Sequence, residues 1–226
     1  MDMSSAIPDW LTPVAWIYIA FSLIGVAFIA TDIYRGRRHD RVATELVWIT
    51  SALYLGPLAI PVYLSRGRTH RSSTAGEGTA GRNDETALAV LPGGSASAVA
   101  HLIAVPLVVA VGWTIAGMAM WPMIILIAIL ATAMLAVYAR IASGSPDGHT
   151  SGLSLGAAFV AAVLTVAAFD IGMVGWMLLL HVNSAMPPVT ESTFWFLMQI
   201  GVLLGLLTGY PAVKWLLRRN ESVVPA

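Results

Sequence analysis

The run Leu153 to Val182, "LSLGAAFVAAVLTVAAFDIGMVGWMLLLHV", carries one formally charged residue, Asp170, and has a histidine, His181, near its far end. At about 1.5 Å of rise per residue, about 20 apolar residues cross the roughly 30 Å hydrocarbon core of a bilayer. The run therefore reads as a membrane-spanning helix. The same arithmetic along the chain finds six such stretches, near 13–34, 43–64, 97–118, 121–141, 155–181 and 193–216. Of the 226 residues, 58% are hydrophobic and only 11% charged, a balance that a soluble domain of this size does not need. The expected fold is all-α, a polytopic transmembrane helical bundle forming one membrane domain. Its expected parts are an N-terminal helix pair (13–64), a hydrophilic loop (65–95) and a four-helix membrane region (96–217).

Between the second and third stretches lies "SRGRTHRSSTAGEGTAGRNDETA", rich in Ser, Thr, Gly and charge, which cannot bury a core and reads as a flexible loop. The chain has no cysteine, which excludes disulfides, thiolate metal sites and cysteine nucleophiles. Its start, "MDMSSAIPDWLTP", has no Lys or Arg and so lacks the basic leader of a signal peptide; the first apolar segment is expected to stay in the mature protein. Tryptophans 10, 16, 113, 121, 195 and 215 fall near expected span ends, as interfacial anchors do.

Orientation follows from the 12 basic residues. Arg35, Arg37, Arg38 and Arg41 follow the first stretch, and Arg66, Arg68, Arg71 and Arg82 the second. Arg140 ends the fourth; Lys214, Arg218 and Arg219 close the sixth. Six full crossings from an inside N-terminus would leave the first four basic residues outside. An outside N-terminus, with a second segment that enters and leaves by one face, puts all 12 inside, as the positive-inside rule prefers. That second segment, "ATELVWITSALYLGPLAIPVYLS", contains Gly56, Pro57 and Pro61, which suit either a kinked span or a re-entrant hairpin. Both arrangements leave the C-terminus cytoplasmic, and the expected location is the inner cell membrane.

A carboxyl near the middle of a membrane helix costs roughly 2.5–3.5 kcal/mol on insertion scales, so Asp170 needs a partner or a proton. At about 100° per residue, Asp170, Met173, Met177 and His181 fall on one stripe. A carboxyl, two thioethers and an imidazole in line form a graded ligand path, and thioether with imidazole suits copper as Cu(I). Met118, Met120, Met123, Met186 and Met3 lie toward the same outer side. Methionine is also an ordinary gap-filler in apolar packing, so the stripe equally reads as helix contact.

At the other face, His101, near the start of the third stretch, is expected beside Asp32 and Glu45 in an inner polar cluster. The alternative has both acids facing loop arginines. His39, His70 and His149 are loop residues without a pattern. In the last stretch Gly201, Gly205 and Gly209 recur every four residues and let another backbone come close, with Gln199 able to hydrogen-bond across helices. This face reads as helix packing, within the chain or against a second copy or a membrane partner. No phosphate loop, zinc-protease helix, serine elbow or basic-aromatic nucleic-acid surface is present, so no enzyme class and no nucleic acid is indicated.

Three stretches, "LVWITSALYLGPLAIPVYLSRGR", "FDIGMVGWML" and "FWFLMQIGVLLGLLTGYPAVKWLLRR", resemble the bacterial and archaeal membrane family called domain of unknown function 4396. The resemblance implies a His-Cys-x-x-x-Cys opening to the third span. Here that stretch is "HLIAVP": His101 is kept, while Leu102 and Pro106 replace the thiols. Two function classes therefore remain: handling of a small ion, soft metal or proton at Asp170, Met173, Met177 and His181, or a non-catalytic accessory or scaffold whose polar residues specify packing.

Overall fold

The computed structural model describes residues 7–39, 42–68, 88–143 and 155–219. Most of the expected hydrophilic loop lies outside the described residues, as do Met3, Arg41, His70, Arg71, Arg82, His149 and the side chain of Arg140. We number six helical segments: α1 (Leu11–Tyr34), α2 (Val42–Gly67), α3 (Leu91–Val111), α4 (Met120–Ser143), α5 (Leu155–Val182) and α6 (Ser192–Arg218). Among the described residues everything else is turn or connection, apart from one bridge between Ile115 and Met118. All six segments are long and apolar enough to cross a membrane.

The exposed surfaces have the same character. Only Ala15, Ser22, Gly25, Ile29 and Ile33 of α1 are buried, a single seam at helical spacing. Trp16, Ile17, Leu23 and Ile24 stand in the open. An apolar surface of that extent suits lipid and not water.

Length alone would make α2 a straight rod, with Trp48 and Tyr63 about 22 Å apart along its axis. Instead their rings meet edge to face with centroids 5.6 Å apart. The chain turns at Gly56, whose φ of +54° is open to glycine and strained for other residues. A 3₁₀ turn, Gly56–Leu58, follows, with Pro57 at its start. The segment is a helical hairpin: Val42–Leu55 runs in, and Ala59 to Gly67 runs back. Its apex packs on α1, where Tyr18 donates its hydroxyl to the Tyr54 carbonyl. The geometry is a helical hairpin, the shape that the re-entrant reading expects.

Small residues set the remaining packing. Gly93 of α3 faces Thr165 and Phe169 of α5, and four residues on Ser97 meets Met173, so α3 and α5 run parallel. Ala89 and Val90 cluster with Val213 of α6, and Gly94 faces Leu206, so α3 and α6 run antiparallel. The α5–α6 pair is the closest. A Cβ at Gly172 would fall 2.5 Å from the Leu204 carbonyl oxygen, and one at Gly205 would fall 2.5 Å from the Phe169 ring. Trp176 Nε1 donates to the Leu197 carbonyl at 2.8 Å, which fixes the register. The glycine face of the last helix is thus filled by α5 of the same chain.

Gly205→Val should lower the thermal stability of detergent-purified protein by about 1–3 kcal/mol, because the added carbons meet the Phe169 ring. Gly175→Ala is the control: its Cβ would meet nothing within 4 Å, and the melting temperature should hold or rise slightly.

Candidate functional site

The α5 stripe is brought together in part. Met173 and Met177 are each only 2% exposed and face the bundle interior. Asp170 is half-buried at the edge of that face, near the midpoint of the helix. Among the described residues no hydrogen bond or ion pair reaches its carboxylate. His181, in the last turn of α5, is exposed. The stripe therefore runs from mid-bundle to the surface, with its thioethers inside and its imidazole at the rim.

Met173 is held from α3. Ser97 Oγ donates to Met173 Sδ at 3.5 Å, and the carbonyl of the same serine takes the Nδ1 proton of His101 at 2.7 Å. A carbonyl only accepts, so Nδ1 carries the proton and, in the neutral ring, Nε2 keeps its lone pair. His101 is 3% exposed, and its Nε2 is buried with no partner among the described residues. Ser97 was not among the residues expected to matter. Its signal in the sequence is its position four residues before His101, where its carbonyl underlies the ring.

This placement corrects the expected inner cluster. Helix α3 begins at Leu91, six residues before the expected boundary at 97, so His101 lies at its midpoint and not near its end. The small residues Gly93 to Ala98, read as loop and first turn, are buried helix. His101 thus adjoins Met173 through Ser97, and the acids have other partners. Asp32 accepts from Arg68 at 3.0 Å and from Tyr63 at 3.1 Å, with Arg37 at 3.6 Å. Glu45 pairs with Arg38 at 2.9 Å and accepts the His39 backbone N–H at 3.1 Å. His39 Nε2 lies 2.7 Å from the Gly67 carbonyl oxygen. Together these contacts tie both ends of the hairpin to the end of α1. Among the described residues, no three His, Asp or Glu side chains gather as a metal site would require.

In α6, Gly201 faces Trp176 and Met173, while Gly205 and Gly209 face Phe169. Thr208, unremarked in the sequence, lies within hydrogen-bond distance of Gly172 N at 3.2 Å and helps close the α5–α6 contact. Gln199 has a different environment: its Oε1 is buried and without a partner among the described residues.

No curated protein and no solved structure matches the chain. A family model, described as "Domain of unknown function (DUF4396)", matches residues 83–221. That span covers α3 to α6, including two of the three stretches that carry the resemblance, and leaves α1 and the hairpin outside it. The helices that hold Ser97, His101, Asp170, Met173 and Gln199 all fall within the match, and the chain belongs to the domain of unknown function 4396 family.

Proposed function

We propose that this protein handles a small cation inside the membrane, a soft metal ion such as Cu(I) or a proton, along the stripe Asp170, Met173 and Met177, with His181 at its outer end. The observation that carries this reading is Asp170, a carboxyl halfway along a span, without a partner among the described residues and one and two turns from the buried thioethers of Met173 and Met177. An isolated polar group at that depth is costly and is normally kept for a pathway or a relay. Thioethers and imidazole would capture a soft ion, and Asp170 would exchange a proton as the ion's charge arrives or leaves. The packing reading, an accessory or scaffold protein, has its own support in the Ser97 hydroxyl that already occupies one lone pair of Met173. Sulfur has a second lone pair, so the two roles are compatible.

In this reading the N-terminus is outside and the C-terminus cytoplasmic, at the inner membrane. Support comes from the hairpin, which returns Arg66 and Arg68 to the side of Arg37 and Arg38. Five crossings then leave every basic residue on one side, with Lys214, Arg218 and Arg219 at the inner headgroups.

Silver, a stable mimic of Cu(I), should bind detergent-purified wild-type protein. Asp170→Asn and the pair Met173→Leu with Met177→Leu should each weaken binding by about tenfold or more. Equal or negligible uptake by all three would remove the metal version. Topology is checked separately in this cysteine-free chain. An impermeant maleimide applied to intact cells should label Ser5→Cys and spare Ser65→Cys and Ser222→Cys. Labelling of the first two from one side would overturn the arrangement.

A further inference from the structure

Among the described residues, two polar atoms on facing helices of the bundle are buried without a partner: Nε2 of His101 on α3 and Oε1 of Gln199 on α6. The helix register relates them. Gly94 of α3 faces Leu206 of α6, and the two helices run antiparallel. Seven residues is about two turns, which returns to the same helix face. Seven residues on from Gly94 is His101, and seven back from Leu206 is Gln199. Counted from that contact, the two residues fall at about one level, on the faces that α3 and α6 turn to each other at Gly94 and Leu206.

Both are acceptors. Ser97 fixes the His101 tautomer and leaves a lone pair on Nε2, and a carbonyl oxygen has only lone pairs. Two acceptors cannot satisfy each other, and leaving each unmet costs about 1–3 kcal/mol. We infer that the seam between α3 and α6 at His101 and Gln199 is a binding site for a soft monovalent cation.

The charge of the ligand follows from what surrounds the seam. Both groups are neutral. Asp32 and Glu45 are engaged by arginines at the hairpin ends, and Asp170 follows Phe169, which faces Gly93, about two turns along α3 from His101. The cost of burying an ion in a low-dielectric interior rises with the square of its charge, so a dication without a carboxylate is far dearer than a monocation. Softness follows from the imidazole nitrogen and from the thioether that Ser97 holds beside α3, while the Gln199 oxygen contributes its dipole. Met173 is fixed by the same Ser97 that fixes His101, and Met198, next to Gln199, is 2% exposed. This site rests on the reading that the bundle carries a soft cation, and it adds a station on α3 and α6 beside the α5 stripe.

The test is a silver titration of the full-length protein in detergent, followed by the ¹⁵N resonance of His101 Nε2. Silver should shift that resonance to saturation in the wild type. Gln199→Leu should weaken the shift-derived affinity by about tenfold. Gln199→Glu, which supplies a negative charge, should tighten silver and admit zinc, which the wild-type site refuses. A resonance unmoved at saturating silver would overturn the proposal, whether a water molecule or a turned Gln199 amide satisfies the imidazole instead. Silver binding that leaves His101 unmoved, and is lost with Met173→Leu and Met177→Leu, would overturn this site and keep the stripe. Silver that moves His101 and survives the stripe variants would keep this site and overturn the stripe. No silver binding at all would overturn both.

Discussion

From Gly93 to Ala98 the side chains of α3 are so short that the helix is little more than backbone, and three neighbouring segments close on it there. Tyr54 of the hairpin and Leu206 of α6 meet over Gly94, while Thr165 and Phe169 of α5 lie over Gly93. Ser95 donates to the Val47 carbonyl, and Ser97 reaches Met173. In lipid there is no hydrophobic gain in pressing one apolar helix on another, so association rests on close van der Waals fit and on hydrogen bonds across the seam. Small residues supply the first and the two serines the second. Larger side chains here would push α5, α6 and the hairpin apart together.

The hairpin depends on that contact and on a polar lock at its mouth. Turning a chain within the membrane exposes backbone groups that only protein can satisfy. Gly56 makes the turn with a positive φ, and a Cβ there would fall 2.6 Å from the Tyr18 ring. Tyr18 takes up the Tyr54 carbonyl beside the turn, and the Tyr54 hydroxyl ties the hairpin to α3 by donating to Leu91 O at 3.1 Å. At the mouth, Asp32 and Glu45 hold Arg37 and Arg38 of the connection between α1 and the hairpin, Arg68 just after the returning limb, and the His39 backbone. An acid in a membrane protein can thus serve closure without serving transport, and these two differ from Asp170 in having partners.

The interior of α3, α5 and α6 has the opposite balance. Its polar atoms are few, and among the described residues several are without a partner: the Asp170 carboxylate, His101 Nε2 and Gln199 Oε1. Packing alone would be better served by replacing such groups with apolar ones of similar shape. Their presence around the buried Met173 and Met177 is the ground on which the proposed cation-handling role rests.

The sequence by itself determined that this chain is a bundle of apolar helices, because a span is a local property: hydropathy and length over about 20 residues decide it. It also put Asp170, Met173, Met177 and His181 on one stripe, since helical phase is local too. It could not choose between a kinked span and a hairpin for 43–64, because Gly56 and the prolines suit both. Only the contact of Trp48 with Tyr63 decides that. It placed His101 wrongly because the start of α3 is a run of Gly, Ser and Ala that looks like loop until other helices cover it. The partners of Asp32, Glu45, His101 and Gln199 lie on other helices, and their pairing is fixed by helix register and crossing, which exist only once the bundle has assembled.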